Sequence, residues 1–197
     1  MMRAKFMEKN MEKMLNKKMW AIVAVLAFFM LLTRGSHVLT HVSLPDASVA
    51  IFLMGGLLLK RWGWFAVFFV LATVIDFGAA AFDPAQGFCL TNGYWGLIPS
   101  YATMWFAGLW LANQKDAFNF FPFGLATLTA SFSAFLISTQ TYYLFSGRFP
   151  AQGLWASLQH GWEYLPSWMG YSAMYFVMIW IGAMALRRIP MFKTSKI

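Results

Sequence analysis

The one cysteine of this 197-residue chain lies in the stretch GFCLTNGYW, between a glycine and a Thr-Asn-Gly turn. A thiolate there is a soft donor for a soft or borderline metal centre, and metal binding itself favours the deprotonated form. A packed, neutral thiol is the other reading of Cys89. Asp76 stands within an otherwise apolar run, TVIDFGA. A carboxylate inside a membrane helix costs about 2.5–3.5 kcal/mol on insertion scales, so it faces a cavity or a partner. Either a structural hydrogen bond to a neighbouring helix or a polar contact in a binding pocket satisfies it. His37 and His41 are four apart, which on a helix gives them one face and reach of one metal ion. A chance pair of surface histidines has the same spacing. No Ser-His-Asp order and no paired carboxylates stand out, which argues against a hydrolase.

The elements that position these side chains are apolar blocks. The chain is 60% hydrophobic, 19% aromatic and 11% charged, against roughly 25% charged in a soluble domain. The blocks predict an all-α integral membrane protein with six transmembrane helices, over about 17–33, 47–60, 62–82, 94–113, 122–145 and 164–186. A crossing takes roughly 20 residues, so the second is short unless it extends back through HVSLPD toward His41, with Pro45 starting or kinking it. The first block has the basic front of a signal peptide, but no Ala-x-Ala-like site follows it, and it reads as a retained helix. One cysteine excludes an internal disulfide, a CxxC redox pair and a cysteine-rich zinc site. No GxxxxGKS or GxxxxGKT loop is present, which excludes ATP hydrolysis by the P-loop route.

Net charge is +8, with the basic residues at the ends of the apolar blocks. Thirteen of the fifteen Lys and Arg fall before the first helix, in the second and fourth loops or after the last helix; Arg34 and Arg148 alone fall on the other side. The bias predicts that both termini are cytoplasmic and that the loops with His37, Cys89 and Arg148 face outward. Three regions follow: a basic cytoplasmic segment 1–18, suited to a helix on the anionic inner leaflet, a transmembrane domain 19–187, and a basic cytoplasmic tail 188–197. Tyr94, Trp95, Trp162, Tyr164 and Trp168 fall near the outer surface and Trp20, Trp62 and Trp64 near the inner one, where amphipathic rings anchor. Ala126, Ala130 and Ala134 on the fifth helix, and Gly55 and Gly56 on the second, read as packing surfaces.

The stretches TRGSHVLTHVSLPDASVA and VIDFGAAAFDPAQGFCLTNGYWGLIPSY, with the six-helix layout, resemble the BtuM family. These are small bacterial inner-membrane proteins related to the S components of energy-coupling factor (ECF) transporters. The resemblance covers about 30–190, and FCLTNGYW is its most specific part. It implies an S-component-like bundle that binds and takes up cobalamin (vitamin B12), with cobalamin as bound substrate. It implies that Cys89 is the axial sulfur ligand to the corrin cobalt, and that His37, Asp76 and Tyr94 surround the corrin. Thiolate ligation would take the base off and labilise the cyanide opposite, with or without electron transfer to cobalt, and this predicts thiolate-assisted, reductive decyanation of cyanocobalamin. The resemblance is to solitary S components, which work alone or with a borrowed ECF module as partner. The chain departs from the S-component pattern on its first helix. Docking alanines there follow Ala-x-x-x-Ala, and this helix reads Ala21, Ala24 and Ala27.

Other readings predict other behaviour. A nickel or cobalt ion permease would use His37, His41, Asp76 and Cys89 and would need no large pocket. A cobalamin-processing membrane enzyme would turn over and release cyanide. In a structural or assembly subunit, Asp76 and Cys89 would merely pack.

Overall fold

A helix that is apolar on every side belongs inside something, and Ser48–Leu59 is such a helix. Ten of its twelve residues are buried. The computed structural model describes residues 2–34, 44–149 and 153–188, with side chains from Met14 onward, so His37 and His41 lie outside the described residues. Its helices are α1 (Met2–Arg34), α2 (Ser48–Leu59), α3 (Trp62–Phe82), α4 (Leu97–Ala112), α5 (Phe120–Phe145), α6 (Gly153–Ser157) and α7 (Leu165–Arg188). All six expected apolar blocks are helical, and no strand occurs among the described residues.

Four stretches are long and apolar enough to cross a membrane: Met14–Arg34, Trp62–Phe82, Phe120–Phe145 and Gly153–Arg188. At 1.5 Å per residue α2 reaches about 18 Å and α4 about 24 Å, short of the roughly 30 Å hydrocarbon core. The second block does not extend backward: residues 44–47 are not helical, and α2 begins after Pro45. An aspartate turn starts it instead, since Asp46 Oδ1 accepts from the Ser48 amide at 2.9 Å. α1 continues through residue 18 without interruption, so the edge of the basic segment is a boundary of charge and not of secondary structure.

The two short helices form the centre. α2 packs on α1, α3, α4 and α7, and its closest partner is α4. Glycine permits that approach: a Cβ on Gly56 would run into the Trp105 carbonyl oxygen, and one on Gly108 into that of Leu53. Phe52 and Tyr101 stack across the pair at 4.3 Å, and Trp105 is fully buried between Phe52 and Phe65. The Ala126, Ala130 and Ala134 stripe is buried; Ser100 of α4 donates to the Ala134 carbonyl at 2.9 Å. Both small-residue features are therefore internal packing surfaces. α7 hangs on polar handles of otherwise apolar rings: Tyr175 donates to the Pro45 carbonyl at 2.6 Å, Trp168 to Ser131 at 3.1 Å and Trp180 to Phe118 at 2.9 Å.

Chain direction alternates along the bundle. One end collects Arg34, Asp46, the end of α3 and the turns before α4; the other collects Lys60, Arg61, Lys115 and Arg187. At the second end Arg187 donates to Asp116 at 2.8 Å, and this holds the Asp116 carboxyl below its usual range. Both side chains are largely exposed, so the pair is worth about 0–1 kcal/mol.

Gly56→Ala or Gly108→Ala is expected to destabilise the bundle by about 1–3 kcal/mol through overpacking. Gly182→Ala, where an added Cβ meets nothing within 4 Å, is expected to cost nothing. Thermal unfolding in detergent, followed by tryptophan fluorescence, separates the three.

Candidate functional site

Arg34 ends α1 with its side chain 9% exposed, so its charge must be met inside the protein. Its Nε and Nη2 each donate to one oxygen of Asp76, both at 2.7 Å, the bidentate geometry in which guanidinium and carboxylate fit best. Nη1 reaches Ser48 Oγ and Tyr101 Oη at 2.7 Å and Asp46 Oδ2 at 3.0 Å. Asp46 Oδ1 accepts in turn from the Ser48 hydroxyl at 2.6 Å. Tyr94 donates to Asp76 Oδ2 at 2.8 Å. One cation thus ties together the end of α1, the start of α2, the C-terminal half of α3, α4 and the segment leading into α4.

That segment is two short 3₁₀ turns. Asp83 caps the first, Pro84–Cys89, by accepting from the Ala85 amide at 3.0 Å. Thr91 caps the second, Asn92–Gly96, by accepting from the Gly93 amide at 3.2 Å, so the expected Thr-Asn-Gly turn is present. The second turn is pressed onto α5: a Cβ on Gly93 would stand 2.9 Å from the Thr141 carbonyl oxygen. Anchored there and at Tyr94, the segment leaves Cys89 exposed at the end of the first turn.

A cavity of about 250 Å³ opens beside it, lined by Thr33, Arg34 and Asp76 from the helices, by Leu44 and Asp46 ahead of α2, and by Gln86, Cys89 and Leu90 from the turn. Desolvation, and then the Asp76 charge, push the Cys89 thiol up; Arg148 and Arg34 oppose the shift.

Among the expected site residues, Cys89 and Asp76 share this cavity. Tyr94 is buried behind it, 7% exposed, so it is a hydrogen-bond donor to Asp76 and not the interfacial anchor its position suggests. Trp95 and Tyr164 are each 62% exposed and suit that anchoring role. Arg34, Asp46, Ser48 and Tyr101 are the residues that sequence reasoning missed. A signal was available, because a carboxylate in an apolar run requires a cation and Arg34 ends the adjacent run at the same end of the bundle. No group of three or more His, Cys, Asp or Glu gathers among the described residues. The arrangement instead offers one sulfur donor, suited to a metal that arrives with its other ligands. Comparison with models of known protein families and with curated proteins gives no match.

Arg34→Leu strands Asp76 in an apolar setting and is expected to destabilise the protein by about 3 kcal/mol. Arg34→Leu combined with Asp76→Leu should recover most of that loss. A double-mutant cycle on unfolding in detergent checks the coupling.

Proposed function

We propose that the chain binds cobalamin at the outer end of a six-span bundle in the bacterial inner membrane, with both termini cytoplasmic, and serves its uptake. Cys89 is the axial sulfur ligand to the corrin cobalt. The observation that carries this reading is the exposed Cys89 thiol on the lip of a cavity that Arg34, Asp46 and Asp76 also line, at the end of the bundle away from the Lys- and Arg-rich loops. A corrin brings four equatorial nitrogens and leaves two axial positions, so one protein donor suffices. The cavity is smaller than the roughly 300–1,000 Å³ of enclosed ligand sites; the macrocycle therefore lies across the mouth and not within it. Asp76 and Gln86 on the cavity wall meet its amide rim, Tyr94 positions Asp76, and the resemblance adds His37.

Ligation proceeds as an exchange at Co(III). The Cys89 thiol gives up its proton to solvent and its sulfur donates an electron pair to cobalt. The dimethylbenzimidazole nitrogen leaves with its own pair, giving the base-off form. In cyanocobalamin the sulfur weakens the bond opposite, and cyanide departs as an anion while water takes its place. The cobalt stays Co(III), and no reductant is consumed.

In the ion-permease reading a metal cation must displace the Arg34 guanidinium from both Asp76 oxygens, whereas a neutral amide N–H needs only a spare lone pair on them. A partner module cannot dock on the alanine stripe of α5, which is buried; Ala21 and Ala24 on α1 are exposed.

The visible spectrum of the purified protein with cyanocobalamin is expected to shift for wild type and not for Cys89→Ala. An unshifted wild-type spectrum removes the cobalamin reading. Local desolvation and the Asp76 charge raise the Cys89 thiol, and ligation below its pKa releases a proton. Apparent affinity is therefore expected to climb by up to about tenfold per pH unit and to level off once the thiol ionises. Titrations from mildly acidic to alkaline pH read this directly, and a flat profile contradicts thiolate ligation.

A further inference from the structure

Two arginines stand at the cavity end of the bundle, and they are in different situations. Arg34 is committed to Asp46 and Asp76. Arg148, exposed just after α5, forms no ion pair among the described residues. Its guanidinium lies over the ring of Phe88, 4.1 Å from the centroid, and Phe88 immediately precedes Cys89. Phe88 in turn packs near Tyr142, at 6.1 Å. A guanidinium resting on a ring face gains a cation–π contact and still has its N–H donors for another partner. Arg148 is thus a fixed, uncommitted cation beside the proposed cobalt ligand.

We propose that Arg148 binds the phosphodiester of the nucleotide tail that is released when Cys89 displaces the base, and so favours complete cobalamin over corrinoids without that tail. This inference rests on the cobalamin reading above. Its geometry follows from the ligand's connectivity. The base and the incoming sulfur compete for the same axial position, so the displaced tail hangs from the face of the macrocycle that meets the protein. Its phosphodiester carries one negative charge and is confined to the neighbourhood of Cys89. A planar guanidinium matches phosphate oxygens in a paired contact that a point charge cannot reproduce. Arg34 cannot serve, because its donors are already engaged by two carboxylates, Ser48 and Tyr101.

The test is titration of the full chain in detergent with cyanocobalamin and with dicyanocobinamide, which has the corrin but neither phosphate nor base. Arg148→Gln is expected to weaken cyanocobalamin about tenfold, the scale of a hydrogen bond to a charged group, and to leave dicyanocobinamide unchanged. Unchanged binding of dicyanocobinamide also reports an intact fold. Arg148→Lys should fall between wild type and Arg148→Gln and lose its advantage as salt rises. Equal losses for both corrinoids overturn the proposal, because Arg148 would then act through Phe88 and the Cys89 turn. No loss for either also overturns it and leaves Arg148 to the lipid headgroups or solvent. If neither corrinoid shifts the wild-type spectrum, the cobalamin reading fails and this proposal fails with it.

Discussion

The ion pair between Arg34 and Asp76 is the constraint on which the cavity end of this bundle depends. A carboxylate six residues from the end of an apolar helix must find a counter-charge, and the guanidinium that closes α1 supplies it in bidentate form. An arginine has more donors than one carboxylate can use. The surplus reaches Asp46, Ser48 and Tyr101, so neutralising one charge fixes the start of α2 and a turn of α4. Tyr94 then extends the same network into the segment that bears Cys89. A buried pair of this kind is weak evidence for stability in itself, since desolvation consumes much of its Coulomb energy. Here it specifies which helix ends meet.

Below that network the bundle is held by close backbone approach. α2 and α4 are too short to cross a bilayer unaided, and α2 needs no lipid contact because protein surrounds it. Gly56 and Gly108 bring the two backbones together, and such contact replaces the hydrophobic drive that is missing between helices in lipid. The long helices supply the lipid-facing surface. At the Arg34 end, residues of the ion-pair network and the first 3₁₀ turn together line the cavity beside Cys89.

Much of this was legible in the sequence. The six apolar blocks became helices at nearly the expected residues, and the Gly and Ala packing stripes and the Thr91 turn followed from residue type and spacing; for Cys89 the sequence left a packed thiol and an exposed one both open, and the fold exposes it. The network did not. Arg34 counted only as a flanking charge because its partners are far away in sequence, with Asp76 forty-two residues on and Tyr101 sixty-seven. Periodicity carries no information about such pairings. Tyr94 does stand beside Asp76, as the resemblance implies, but its anchoring role fails: a tyrosine at a helix end suits a lipid interface or a buried donor equally, and only the position of Asp76 decides between them. Pro45 resisted prediction as well, since the aspartate turn at Asp46 sets the start of α2 and not the proline.

The proposed function turns on a bond between the Cys89 sulfur and the cobalt of a corrinoid held at this mouth. Cobalt K-edge X-ray absorption on the purified protein–cobalamin complex tests it most directly, because scattering by sulfur differs from scattering by nitrogen or oxygen. The account predicts one sulfur bonded to cobalt in the wild-type complex, and nitrogen or oxygen in its place for Cys89→Ser. A wild-type complex whose cobalt is bound only by carbon, nitrogen and oxygen would contradict it.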